Sequence, residues 1–252
     1  NLGDKLVQRC CAESGLPEAR IKGERGRTVG QLQMFGNLLD EGSWLEATID
    51  TAQLDRSPVP KPDIRRMLVP MGPVAVFAAS NFPLAFSTAG GDTASALAGG
   101  NPVIVKAHGA HPGTSALVGS AIVKAAQKTG MPDGIFSLLH GSGSIVGQSL
   151  IKNKNIKAAG FTGSQTAGRI LYDLANQRKN PIPFFAEMGS INPVLLLPSA
   201  LNGQTAKLLA GSITMGVGQF CTNPGLILAV ESDSLKTFME NLGESLSSID
   251  GG

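Results

Sequence analysis

Cys221 stands in GQFCTNPG (218–225), among Gly216, Gly218, Asn223, Pro224 and Gly225 rather than inside an apolar run. A thiol on a glycine-flanked turn stays accessible and can be activated as a nucleophile; the alternative is a small core hydrophobe. Glu187 follows the apolar PIPFFA and precedes Met188 and Gly189. An acid at a strand's carboxyl end suits a general base, because partial burial there favours proton exchange near neutral pH; the alternative is a surface glutamate at a turn. Asn81, in SNFP (80–83), ends another apolar run. Its side-chain amide would donate to a developing oxyanion, or simply satisfy turn backbone. FTGSQTAG (161–168) sets Gly163 and Ser164 at a strand-to-helix turn, with Gly168 one helical turn later. That spacing admits a pyrophosphate at a helix N-terminus, and serves equally well as a structural turn.

Other chemistries find less support. His108 and His111 lie close in sequence, but no third ligand accompanies them and there is no Cys-x-x-Cys, so no metal site is expected. The Gly-x-Ser-x-Gly elbow of the commonest serine hydrolases is absent. Cys10 and Cys11 fall in an amphipathic stretch and read as packing residues.

These residues need elements to place them, and the 252-residue chain has the composition for a packed core. Apolar residues make up 42% and charged ones 16%, with 21 Lys+Arg against 19 Asp+Glu for a net charge of +2. Near-balanced charge without a basic cluster argues against nucleic acid as the main partner. Val74–Ala79 and Val194–Leu197 are among the longest apolar runs, far short of the roughly 20 residues that cross a bilayer. The opening NLGDKLVQRC lacks a secretory layout, and three cysteines make no disulfide framework. The expectation is a soluble, cytoplasmic protein.

Residues 1–45 space their apolar positions at three and four, as amphipathic helices do. Residues 46–70 hold four prolines and alternating charges, which predicts an extended excursion, an edge hairpin or a solvated linker. A rhythm then begins. PVAVFAAS (73–80), NPVIVKAH (101–108), IFSLLHG (135–141) and IKAAGFTG (156–163) read as buried strands. Helical stretches follow at 84–100, 112–130 and after the later strands. Strands buried on both faces and alternating with helices predict an α/β fold: a Rossmann-like open parallel sheet with helices on both faces. PVLLLPS (193–199), a helix near 202–216, LILAVES (226–232) and a helix near 233–248 look like the start of a second α/β domain. The domains are expected at 1–190 and 191–252.

Taken in order, SNFP (80–83), VIVK (103–106), GFTGS with Gly168 (160–168), EMGS (187–190) and GQFC (218–221) resemble the aldehyde dehydrogenase superfamily. The wording from SNFP to HPGTS is similar to the branch that oxidises α-ketoglutaric semialdehyde, some relatives of which oxidise fatty aldehydes. The resemblance implies a small aldehyde substrate and oxidation to the acid with NAD(P). Cys221 would form a thiohemiacetal and then a thioester, Asn81 and the Cys221 N–H would hold the oxyanion, and Glu187 would activate water. Lys106 would bind the adenosine ribose or its phosphate, and Ser164 the pyrophosphate, with Gly163, Gly168 and Met188 completing the cofactor contacts. Many NAD-using relatives carry Glu where Gly109 stands, so NADP, or use of both NADP and NAD, is implied. The resemblance also implies that the chain is half of an enzyme, that 46–70 belongs to an oligomerisation arm, and that the whole protein is a homo-oligomer. An acylating aldehyde dehydrogenase shares the cysteine but typically lacks the Glu187 equivalent; a dinucleotide-binding fragment without turnover is the other alternative.

Overall fold

The computed structural model describes residues 2–249. The chain forms two compact units, one running to Glu187 and one starting at Met188.

In the first unit, α1 (Gly3–Ser14) buries Leu6, Val7 and Cys10 along one face, and ends where Gly15 turns left-handed at φ 70°. The next helix, α2 (Glu18–Glu41), buries Ile21, Glu24 and Thr28, three positions on a single helical stripe. Two of the three are polar, an expensive choice unless each finds a partner. The expected excursion is a ribbon in which β1 (Thr48–Asp50) pairs antiparallel with β2 (Ile64–Arg66).

Five parallel strands follow: β3 (Val74–Phe77), β4 (Val103–Lys106), β5 (Phe136–Leu139), β6 (Ala158–Thr162) and β7 (Phe184–Glu187). Their order in the sheet is β5-β4-β3-β6-β7. Val76, Val103, Val105 and Phe136 form a core on one face, under α3 (Gly91–Ala98) and α4 (Pro112–Lys128). The opposite face carries Phe77 and Phe161, covered by a short π-helical turn at 143–147, α5 (Gln148–Lys152) and α6 (Gln165–Asn176). Helices therefore lie on both faces, as the sequence pattern predicts.

One element departs from expectation. The stretch 84–100 is not one helix; only Gly91–Ala98 is helical. The N–H groups of Leu84 and Ala85 bond to the Glu24 carboxylate instead of to helical carbonyls. At Gly90 any Cβ would strike the Ala85 carbonyl, so the chain folds back tightly before α3 begins.

In the second unit β8 (Pro193–Leu196) and β9 (Leu226–Ala229) are parallel. The helices α7 (Gly203–Thr214) and α8 (Asp233–Ser247) pack together, with Phe238 buried among Leu196, Leu201 and Leu209. The helix expected near 202–216 stops at Thr214, because Gly216, Val217 and Gly218 all take left-handed conformations. Among the described residues, no helix is long and apolar enough to cross a membrane.

Candidate active site

The connections leave β3 toward one face of the sheet and β6 toward the other. Their carboxyl ends therefore part, opening the crevice where ligands of such sheets bind. A cleft of about 460 Å³ lies there, lined by Phe77, Ala78 and Ser80 at the end of β3, Lys106 and His108 at the end of β4, and Phe161 to Ser164 at the end of β6, together with Ala167, Ile170 and Leu171 of α6.

Gly163 is required at this turn, since a Cβ would lie 2.8 Å from the Phe161 ring. Ser164 caps α6, its Oγ accepting the Ala167 N–H at 3.3 Å. Gly168 is buried behind it within the helix, donating its N–H to the Ser164 carbonyl. Lys106 is only 9% exposed, and burial pushes its ammonium below the ordinary value of 10.5. Among the described residues, its ammonium has no ion-pair or hydrogen-bond partner. A buried cation without a counter-charge, facing a cleft beside a helix N-terminus, suits an anionic ligand.

His108, unassigned from sequence, forms part of the wall. Its Nδ1 accepts the Ala110 N–H at 3.1 Å. Burial, then His111 and Lys106, push its pKa below 6.5. His111 is fully buried and structural: Nε2 donates to the Ala79 carbonyl at 2.8 Å, and Nδ1 lies 3.3 Å from Ser115 Oγ. Gly109 sits on the exposed turn between the histidines, with open space where a Cβ would point.

Asn81 follows Ser80 and is half-buried, its carbonyl accepting from Arg20 at 3.4 Å. Glu187 ends β7 opposite Thr162, and its carbonyl accepts the Gly163 N–H at 3.1 Å. Its side chain is exposed, not part-buried as the sequence suggested, because β7 is an edge strand of the sheet. The negative charge of Glu187 is nevertheless felt by Asp92. Burial first, and Glu187 second, raise the Asp92 carboxyl above 3.8. Met188 follows, half-buried, outside the cleft lining.

Cys221 is exposed in the second unit. Its turn is fixed by Asn192, whose side-chain amide donates to the carbonyls of Cys221 (2.7 Å) and Asn223 (2.9 Å). Asn192 itself has φ 41°, a left-handed position that asparagine tolerates. The turn is approached through Val217 at φ 58°, an unfavourable conformation for a β-branched residue. A Cβ at Gly216 would collide with the Phe220 ring. The sequence marked this segment as glycine-rich, but nothing in it pointed to Asn192 as the residue that ties it down.

The profile of the aldehyde dehydrogenase family matches residues 3–252. Alpha-ketoglutaric semialdehyde dehydrogenase 2 of Azospirillum brasilense is 57% identical over 94% of this chain and 46% of its own length. The alpha-ketoglutaric semialdehyde dehydrogenase of Acinetobacter baylyi is 50% identical over 96% of this chain and 46% of its own. A solved lactaldehyde dehydrogenase superposes with a TM-score of 0.81 at 23% identity, covering 99% of this chain and 49% of that one. The chain thus spans about half the length of the curated relatives it matches. On these grounds, the chain belongs to the aldehyde dehydrogenase family.

Proposed function

We propose that this chain supplies the cofactor cleft and the nucleophile of an NAD(P)-dependent enzyme that oxidises α-ketoglutaric semialdehyde to the carboxylic acid. The observation that carries the reading is the exposed Cys221 thiol on a turn pinned by Asn192, in a chain half-identical or better to two dehydrogenases of that name. Residues 1–190 serve as the NAD(P)-binding domain and 191–252 as part of the catalytic domain.

The cleft suits a dinucleotide: Lys106 would hold the adenosine ribose or its phosphate, and Gly163, Ser164 and the N-terminus of α6 the pyrophosphate. Gly168, in the first turn of α6, and Met188, the residue after β7 in sequence, would complete the cofactor contacts that the family resemblance implies. Bound there, the nicotinamide supplies the hydride acceptor that the oxidation requires. Without a carboxylate at Gly109, a 2′-phosphate meets Lys106 unopposed, which favours NADP over NAD.

The Cys221 thiolate attacks the aldehyde carbon, forming a C–S bond. The Asn81 amide and the Cys221 N–H receive the charge that develops on oxygen. Oxidation of this thiohemiacetal leaves a thioester on Cys221. Glu187 then takes a proton from water as the water attacks, and the thiolate departs with release of the acid. The β1–β2 ribbon, with Ile49 and Ile64 exposed, serves as an oligomerisation arm of the complete cytoplasmic enzyme.

Replacing the nucleophile tests the reading. In a complete polypeptide carrying this sequence, Cys221→Ala is expected to abolish aldehyde-dependent NADPH formation while cofactor binding, read by fluorescence titration, persists. Retained turnover would remove Cys221 from the chemistry.

A further inference from the structure

The segment after β3 carries backbone bonds of its own, among them Ala79 N–H to the Phe86 carbonyl and Gly90 N–H to the Ser87 carbonyl, each at 2.9 Å, and it is also held from outside. Behind it, Leu84 and Ala89 pack in one core with Leu6, Val7, Cys10 and Ile21 of the two N-terminal helices. Across that apolar seam runs one polar connection. Glu24 of α2 is 4% exposed, and its Oε1 accepts both the Leu84 N–H at 2.8 Å and the Ala85 N–H at 2.9 Å. Its Oε2 lies 3.4 Å from Arg20 Nη2, and the same nitrogen is 3.4 Å from the Asn81 carbonyl. The Arg20 guanidinium stacks 4.6 Å from the centre of the Phe82 ring. From the other side, His111 holds the Ala79 carbonyl. Asn81 is therefore flanked by three backbone anchors, two of which converge on one buried carboxylate.

A buried carboxylate is costly to retain, and an apolar residue at this helical position would pack against the same seam. What Glu24 adds is direction. Two N–H groups meeting on one oxygen fix the orientation of the peptide planes at 84 and 85, and Arg20 extends the constraint to residue 81. Catalytic donors need this, because an oxyanion donor acts only when it is already aimed at the place where charge develops.

We propose that the Arg20–Glu24 pair is a positioning device for Asn81, fixing its side-chain amide as an oxyanion donor. This rests on the role assigned to Asn81 above. Neither Arg20 nor Glu24 meets the substrate; both act through the backbone of the loop.

A double-mutant cycle separates this role from a merely structural one. The readout is the single-turnover rate of NADPH formation at saturating aldehyde in the complete polypeptide, with the NADP⁺ dissociation constant measured alongside. Asn81→Ala is expected to slow the turnover about a hundredfold. Glu24→Ala is expected to slow it about tenfold with the dissociation constant unchanged, and to add nothing in the Asn81→Ala background. Glu24→Gln, whose carbonyl oxygen still accepts both N–H bonds, should recover most of the rate. Arg20→Met leaves the carboxylate anchors in place and gives a second cycle if Glu24→Ala does not fold; it too should slow turnover only when Asn81 is present. A Glu24 or Arg20 effect that persists in full without Asn81, or no effect of either, overturns the positioning role alone. An Asn81→Ala protein with unchanged turnover overturns the oxyanion role, and the positioning proposal with it.

Discussion

At the scale of single residues, the proposed chemistry rests on groups whose surroundings differ sharply. Cys221 is exposed, Lys106 is buried without a counter-charge, and Gly109 stands in open space. Gly109 is the most instructive, because neither crowding nor a left-handed backbone requires glycine there. A side chain can therefore be added at little folding cost, and only its charge acts. Gly109→Glu is expected to weaken NADP⁺ binding about tenfold, or ~1.4 kcal/mol, while NAD⁺ binding holds or tightens. Fluorescence titration of both cofactors checks this, and an unchanged NADP⁺ affinity would mean that residue 109 does not face the 2′-phosphate. The residues legible in the sequence were those that interrupt a pattern, such as a cysteine among glycines or an asparagine ending an apolar run. Asn192, Asp92 and Glu24 were not legible. Each matters through a partner far along the chain or across the sheet, and no local spacing records that.

At the scale of elements, helices in this chain are positioned by side chains from other helices. Glu13 on α1 closes the N-terminus of α4, accepting the Gly113 N–H, the Thr114 N–H and the Thr114 hydroxyl, each at 2.8 Å. Burial alone would raise its carboxyl, but the bonds from Thr114 and Gly113, with the charge of Arg9, outweigh it and bring it below the ordinary 4.5. A carboxylate with a depressed folded value contributes stability that is present above its unfolded value and lost as pH falls through the lower one. Glu13→Gln is thus expected to cost ~1 kcal/mol at neutral pH. Its denaturation midpoint should also fall less on acidification below 4.5 than that of the unmodified chain. Parallel acid profiles for the two proteins would contradict the assignment. The strands of the five-stranded sheet were readable because they are short apolar runs, most of them set off by glycine, proline or asparagine. The stretch 84–90 was read as helix, as the first part of 84–100, because its small residues carry no period that separates helix from turn. Its shape is decided by Glu24, some sixty residues earlier.

At the scale of the whole molecule, the sheet order β5-β4-β3-β6-β7 explains why the cleft lies where it does. The crossing of connections between β3 and β6 parts the strand ends, and the turn after β6 supplies a helix N-terminus to the same opening. The alternation of strands and helices made this topology predictable in outline, since parallel strands need crossovers and crossovers keep one hand. The central claim is that Cys221 carries the substrate as a covalent thioester that Glu187 helps to hydrolyse. The most direct measurement is acid-quenched peptide mass mapping of the Glu187→Gln protein after one turnover with NADP⁺ and α-ketoglutaric semialdehyde. The account predicts one burst of NADPH and an acyl group that accumulates on the peptide containing Cys221. Steady turnover with no adduct, or an adduct on Cys10 or Cys11 in its place, would contradict it.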